Sequence, residues 1–343
     1  MYYIINAYVP PRPPPVQKKI STLLKFLIIA FVILVVCLLL FRNHFIFGTA
    51  LIIGRWGFLL IGLLLFYLST KHITSKKLQY ILLGSLLLIG LEFIFTKFNE
   101  TSPQEIPTNT ELTLMTYNLF FKNKSPDVIL KQIKEIDPDI LVVQELTPAW
   151  AGILSKTLGQ TYPYKKIYTD KGTHGIGVYS KYKLSNDTLL INENKRPFAQ
   201  IVTVRVQDKK IHIINTHLAS PASAVEHPEN FLSLFNSNYT LREIQLNQIE
   251  LATKMNSGDT YILIGDLNTT PYEPIYRNLR TTWVDVFDEA GEGLNKTFPN
   301  TSHTAPFLTL DYILIKGAAT SLSAKILSSG SSDHLALTGK IKI

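Results

Sequence analysis

The hydrophobic pattern changes character about a hundred residues into the chain. Before that point the apolar runs are long; beyond it they are short and broken at regular intervals by polar residues. "FLIIAFVILVVCLLLF" (26–41) is sixteen apolar residues without interruption, followed by "FIFGTALIIGRWGFLLIGLLLFYLS" (45–69) and "LQYILLGSLLLIGLEFIF" (78–95). A helix needs about 20 mainly apolar residues to cross about 30 Å of hydrocarbon. The pattern therefore predicts an all-α transmembrane region over 22–96, with about three spans near 22–41, 46–69 and 78–96. The first run lacks a small-residue cleavage site and is followed at once by others, which argues against a cleaved signal peptide. Arg55 lies inside the second span. A charge at mid-helix costs about 2.5–3.5 kcal/mol, which the surrounding Leu, Ile and Phe can offset. If that segment does not span, the sidedness of everything after it reverses.

From residue 112 the runs are strand-length or amphipathic. "LTLMTYN" (112–118) and "DILVVQE" (139–145) read as strands, separated by a helix that opens on Ser125-Pro126 and repeats Val128, Ile129, Ile133 and Ile136 at helical spacing. "GIGVYS" (175–180) is a strand, and "AQIVTVRV" and "KIHIINTH" form a hairpin around "QDKK". "LREIQLNQIELATKM" (241–255) reads as a helix with Leu241, Ile244, Leu246, Ile249 and Leu251 on its apolar face, and "YILIG", "LDYILI" and "LALTGKI" are later strands. Hairpins mixed with crossover helices predict an α/β domain with packed sheets.

Charge sharpens this division. Residues 1–100 hold ten Lys or Arg against Glu92 and Glu100, and residues 101–343 hold 24 basic against 24 acidic residues. The net +8 belongs wholly to the first part, so it is no sign of a nucleic-acid-binding surface on the second. Arg12, Lys18, Lys19, Lys25, Lys71, Lys76 and Lys77 flank one side of the predicted spans, against Arg42 and Lys97 on the other. The positive-inside rule then predicts a cytoplasmic N-terminus and an extracytoplasmic domain. The single Cys37 lies within the first span, so the later domain needs no disulfide. "YVPPRPPPV" makes residues 1–21 a proline-rich tail, read as a spacer or a partner-binding segment. Residues 97–111 read as a linker and 112–343 as one domain. The lipid bilayer is the partner this implies, and no protein partner is identifiable.

Polar residues gather where the strands end. Asn118 closes the first; Gln144 and Glu145 close the second; Asn215 and His217 end "IHIINTH"; Asp266 and Asn268 end "YILIGDLN"; Asp311 opens "DYILI"; Asp333 and His334 precede the last strand. Any one of these reads equally as a turn residue or cap. Repetition is the signal, because neighbouring strand ends converge in one pocket.

"MTYNL", "DILVVQE", "GVYS", "INTHL", "IGDLNTTP", "LDYILI" and "SDHLAL", in that order, resemble the endonuclease/exonuclease/phosphatase superfamily, the DNase I-like phosphodiesterases. The resemblance covers 112–343. It implies a four-layer sandwich of two face-to-face β-sheets with helices outside, and Mg²⁺- or Mn²⁺-dependent hydrolysis of a phosphate ester in nucleic acid, a lipid headgroup or a small molecule. By the same resemblance Glu145 is the main metal ligand, assisted by Asn118, with Asp333 adding a contact. Asp266 takes a proton from the attacking water or orients it, Asn268 holds phosphate or water in line, and His217 and His334 bind phosphate oxygens. Asp311 orients His334. Asn215 and His174 are candidate substrate contacts, although His174 reads more readily as an ordinary loop histidine.

Two departures from the family stand out. No carboxylate can be placed as partner to His217, and no extra basic or aromatic segment for gripping a duplex is visible. "ASPASAVEHPENFLSLFNSNYT" (219–240) is expected as a long loop that shapes substrate choice, or as a cluster of Phe231, Leu234, Phe235 and Tyr239. A non-catalytic binding domain on the same fold is the alternative from another functional class.

Overall fold

A computed structural model describes residues 15–40, 45–73, 75–95, 110–253, 259–328 and 330–343. The chain divides into two compact units, before and after residue 99. The proline-rich stretch 1–14 and residues 97–109 of the expected linker 97–111 lie outside the described residues, and Glu111 already belongs to the first strand.

The first unit holds helices α1 (Pro15–Leu40), α2 (Phe45–His72) and α3 (Lys76–Phe95). Residues 15–21, expected in the tail, already belong to α1; Pro15 stands first, where its missing N–H costs no helical bond. Leu24, Ile28, Phe31 and Val35 of α1 pack on Leu65 of α2 and on Leu82, Leu86 and Ile89 of α3. Gly62 sits at their crossing, where a Cβ would collide with Leu86 and Phe31. Gln79 donates to the carbonyls of Ser69 (3.0 Å) and Ile73 (3.1 Å), satisfying the end of α2. The outward faces are apolar too: Phe26, Leu60 and Leu87 are each more than 60% exposed. One helix among the described residues, Lys18–Leu40, is long and apolar enough to cross a membrane, where about three spans were expected; the apolar part described in α2, Gly57–His72, is shorter.

The second unit runs β1 (Glu111–Asn118), α4 (Pro126–Ile136), β2 (Ile140–Gln144), α5 (Pro148–Leu158), β3 (Tyr164–Tyr168), β4 (Ile176–Ser180), β5 (Leu184–Ile191), β6 (Pro197–Val206), β7 (Lys209–His217), α6 (Ala222–Glu226), α7 (Phe231–Ala252) and β8 (Thr260–Asp266). It continues through α8 (Pro274–Leu279), β9 (Val284–Asp285), α9 (Val286–Ala290), β10 (Gly291–Glu292), β11 (Asp311–Lys316), β12 (Thr320–Ile326) and β13 (Leu337–Lys342). Two mixed sheets form, ordered β10-β12-β13-β1-β2-β4-β3 and β5-β6-β7-β8-β11-β9. Between them lies one core to which Leu112, Leu114, Ile140 and Val142 contribute from the first sheet and Ile211, Ile213, Ile262, Ile264 and Ile313 from the second. The alternate residues Met115, Tyr117, Leu141 and Val143 face outward under Ile129 and Ile133 of α4 and Trp150 and Leu154 of α5. On the second sheet Tyr276 of α8 lies against Tyr312 of β11, ring centroids 5.0 Å apart.

The segment 219–240 is not the expected loop. It holds α6, a short 3₁₀ turn at Pro228–Asn230 and the first turns of α7. Ser and Asn are poor helix formers and suggest a loop, but Phe231–Ala252 contains neither Gly nor Pro to stop a helix. The buried face of α7 is Tyr239, Arg242, Gln245, Leu246 and Ile249, whereas Leu241, Ile244 and Leu251 of the expected apolar face are exposed. An apolar pattern misleads here because the helix packs through a buried ion pair. Arg242, wholly buried, meets Glu273 at 2.7 Å.

Candidate active site

Side chains along a strand alternate between faces, so every second residue shares one. Leu112 and Leu114 face the inter-sheet core, and two steps further in the same parity stand Thr116 and Asn118. The series Ile211–Ile213–Asn215–His217, Ile262–Ile264–Asp266 and Ile315–Ile313–Asp311 behave alike. The polar strand ends thus continue the apolar interior at one end of the sandwich. Register aligns them: His217 lies opposite Asp266 in the parallel β7–β8 pair, Asp266 opposite Asp311 in the antiparallel β8–β11 pair, and Asn118 opposite Gln144 in β1–β2.

The two sheets meet at this end. Asn118 Nδ2 donates to Asp266 Oδ2 at 3.1 Å and reaches Glu145 Oε1 at 3.4 Å. Its Oδ1 accepts from the Phe120 N–H at 3.0 Å, so the side chain orients both carboxylates. Glu145 Oε2 accepts from the Phe121 N–H at 2.9 Å. Phe120, Glu145 and Asn268 all adopt left-handed backbone (φ +58°, +57° and +47°), a strained state for non-glycine residues that concentrates at functional sites. Gly265, at φ +139°, leaves room that a Cβ would close against the Thr216 carbonyl.

Asp266 is 1% exposed. Its Oδ1 accepts from the Asn268 N–H at 2.9 Å, and Oδ2 lies 3.6 Å from the Nε2 of both His217 and His334. Burial holds its carboxyl above the usual range, with the His334 charge opposing and Asp311 reinforcing that shift. His334 Nδ1 donates to Asp311 Oδ2 at 2.8 Å. Burial disfavours its charge, but Asp311, Asp266 and Asp333 more than offset that and push its pKa up to about 10, so it is an imidazolium at neutral pH. Phe298 packs on its ring at 4.8 Å. His217 Nδ1 donates to the Thr173 carbonyl at 3.0 Å. A backbone carbonyl thus fixes the His217 tautomer where a carboxylate was sought, and sequence carries no mark of it. Asn268 Nδ2 donates to the Leu218 carbonyl at 3.0 Å, tying the Asp266 loop to the exit of β7.

Asp333 is partly exposed; burial pushes its carboxyl up to about 6, with His334 opposing and the charges of Glu145 and Asp266 adding to the shift. Ser332, overlooked in "SSDH", donates to the Asn118 carbonyl at 2.7 Å and accepts from the His334 N–H at 3.1 Å. It stitches the histidine loop to β1. Asn215 is placed otherwise than as a substrate contact. It is fully buried, accepts from Gln144 at 2.9 Å and donates to the Val143 and Gly177 carbonyls, both at 3.1 Å. It locks the two sheets beneath the site. His174 is half-buried at the site's edge; burial first, and then its electrostatic interaction with the neighbouring His217, hold its pKa down.

A divalent cation suits this donor set. Glu145, Asp266, Asp311 and Asp333 bring four carboxylates against one imidazolium, and Asp311 Oδ1 is buried with no partner among the described residues. Hard oxygen donors match Mg²⁺ or Mn²⁺. Asp266, Asp311 and His334 each offer a ligand atom within 4.8 Å of one another. His334, however, already spends Nδ1 on Asp311 and carries a proton, so in this set the carboxylate oxygens rather than the imidazole are available to a cation.

Residues 115–334 match the model of a family described as Endonuclease/Exonuclease/phosphatase. No curated protein matches the chain. Among solved structures, D. rerio TDP2 humanized by 14 mutations aligns with TM-score 0.56 and 16% identity over 68% of this chain and all of its own. D. rerio TDP2 complexed with a single-strand DNA product gives 0.55 and 17% over the same shares. An endonuclease/exonuclease/phosphatase family protein from Leptotrichia buccalis C-1013-b gives 0.54 and 16%, again over 68% and 100%. At such identities the likeness establishes the fold.

Proposed function

The chain belongs to the endonuclease/exonuclease/phosphatase family, and from that premise we propose that it is a membrane-anchored, divalent-metal-dependent phosphodiesterase. The observation that carries this reading is the meeting of Glu145, Asp266, His217 and the Asp311–His334 pair at one end of the sandwich. Glu145 and Asp333 would hold Mg²⁺ or Mn²⁺, which would supply charge neutralisation at the phosphate. The chain's own residues do the rest. Asp266 Oδ2, facing two imidazoles, receives the proton of the attacking water. Asn268, held by Leu218, keeps that water in line. His334, already protonated, donates its Nε2 proton to the departing ester oxygen as that oxygen's bond to phosphorus breaks, and His217, its Nδ1 committed to Thr173, presents Nε2 to a non-bridging phosphate oxygen. Asn118 keeps Glu145 and Asp266 in register across the two sheets.

A nucleic-acid substrate is supported by the likeness to a TDP2 solved with a single-strand DNA product. A lipid headgroup is the second reading, favoured by the helical unit, whose outward Phe and Leu suit hydrocarbon better than water. We take that unit as the anchor, with Lys18–Leu40 as its span, a cytoplasmic N-terminus and an extracytoplasmic catalytic domain. A reporter fused after residue 343 should be active outside the cytoplasm; a cytoplasmic signal overturns that sidedness. Full-length protein in detergent with Mg²⁺ should hydrolyse bis(4-nitrophenyl) phosphate and one of single-stranded DNA, sphingomyelin or phosphoinositides. No turnover of any of them would favour a binding role for the fold.

A further inference from the structure

Arg242 and Gln245 lie three positions apart on the buried side of α7, so they present side by side. Together they grip one residue of the chain leaving His217. Gln245 Oε1 accepts from the Ala219 N–H at 2.9 Å, and Arg242 donates to the Ala219 carbonyl at 3.3 Å. The other arm of the Arg242 guanidinium meets Glu273 Oε2 at 2.7 Å. Glu273 passes the grip on. Its Oε1 accepts from the Thr270 N–H at 2.9 Å, and its own N–H donates to the Thr270 carbonyl at 3.0 Å. Helix α7 therefore holds the chain one residue beyond Leu218 and, through Glu273, two residues beyond Asn268.

Asn268 stands between these two holds. Its Nδ2 donates to the Leu218 carbonyl at 3.0 Å and its N–H to Asp266 Oδ1 at 2.9 Å, while the Leu218 N–H donates to the Asp266 carbonyl at 3.0 Å. The Thr269 carbonyl accepts from the Tyr312 hydroxyl at 2.9 Å. The left-handed backbone of Asn268, φ +47°, is a state that persists only where its surroundings over-determine it. The clamp from α7 does so on both flanks. Stability alone does not account for a buried ion pair here, because well-packed apolar residues often replace one without loss. A rigid fork that reaches a carboxylate and a carbonyl at once does something apolar residues cannot: it fixes the spacing of two loops.

We propose that Arg242, with Gln245 and Glu273, is a positioning device for Asn268. It touches no substrate; it sets where the Asn268 amide stands, with Nδ2 spent on Leu218 and Oδ1 left for the attacking water. This rests on the phosphodiesterase reading. Full-length wild type and variants are compared in detergent with Mg²⁺ on bis(4-nitrophenyl) phosphate. Arg242→Lys keeps the charge but loses the fork, and should lower kcat by about 10–10²-fold with KM little changed. Arg242→Met/Glu273→Leu replaces the pair by apolar side chains. It should unfold near the wild-type Tm and yet stay as slow as Arg242→Lys; recovery of kcat along with Tm would make the pair merely structural and overturn the proposal. Gln245→Met leaves the ion pair in place and keeps the test open should either variant fail to fold. Its kcat should fall too, and a wild-type kcat overturns the proposal. The same substitutions are then made in Asn268→Ala. A device that acts through Asn268 has nothing left to position there, so adding Arg242→Lys should change kcat by less than about twofold, whereas the full loss seen in the wild-type background overturns the proposal. Should the wild type hydrolyse nothing, the phosphodiesterase reading fails, and the positioning is read from the Asn268 side-chain amide resonances in asparagine-labelled protein, assigned by their loss in Asn268→Ala. Arg242→Lys should shift them and speed their exchange with water; unchanged resonances overturn the proposal.

Discussion

His334 and Asp311 form a buried imidazolium–carboxylate pair, 2.8 Å apart, that joins a loop before the final strand to the first residue of β11. Both are almost wholly enclosed, at 5% and 1% exposure, so the proton on His334 is held by its neighbours. Asp311→Asn removes the charge that holds it. The imidazole pKa should drop from about 10, and an NMR titration of the His334 ring resonances would show it. Turnover at neutral pH should fall by about 10²–10⁴-fold, and His334→Ala should do the same, as loss of electrostatic stabilisation at a developing oxyanion does. Near-normal rates in both variants would exclude these residues from the chemistry.

Glu145→Gln keeps the shape of the side chain and its acceptor for the Phe121 N–H while removing the carboxylate charge. The Mg²⁺ concentration needed for half-maximal activity should rise at least tenfold. The increase in Tm that Mg²⁺ gives to the wild type should shrink in parallel, because a ligand that binds only the native state stabilises by mass action. Unchanged Mg²⁺ dependence in both assays would place the cation elsewhere.

Arg242 binds Glu273 at 2.7 Å and the Ala219 carbonyl at 3.3 Å, while Glu273 accepts from the Thr270 N–H at 2.9 Å. The pair ties the segment after His217 to the segment after Asn268. Removing one member of a buried pair strands the other charge and costs about 3–5 kcal/mol. Arg242→Met should destabilise by about that much, and adding Glu273→Gln should recover part of the loss. Denaturant unfolding of the single and double variants measures both.

Asp285 supplies a second, independent test at a distance from the proposed chemistry. Its carboxyl caps α9 through the Phe287 N–H (2.8 Å) and accepts from the Tyr276 hydroxyl at 2.6 Å. Burial, with the nearby Asp288 charge, pushes it up to about 7. A carboxyl raised in the folded state stabilises fully below its unfolded pKa of about 4, and that contribution is lost as pH rises through 7. Thermal stability should therefore decline between about pH 4 and 7 and level off above that. Asp285→Asn should flatten that decline; an unchanged slope would refute the assignment.

The sequence by itself determined what is local. Period-two alternation in "LTLMTYN", "IHIINTH" and "YILIGDLN" places Asn118, His217 and Asp266 on the same faces as the core leucines and isoleucines, and the ordered motifs carry the family. Long apolar runs mark three helical segments. The first turns of α7 escaped because their Ser- and Asn-rich sequence mimics a loop, and the helix's buried face escaped because its packing runs through Arg242 rather than leucines. Only the tertiary structure decided how the strand ends face one another. Asn118 and Asp266 stand 148 positions apart and touch because two sheets pack face to face. Asn215 looks like its neighbour His217 in the sequence, yet one step of parity deeper it is sealed between the sheets. The Thr173 carbonyl that orients His217 is a backbone atom, identical in every residue type, and no side-chain pattern can announce it.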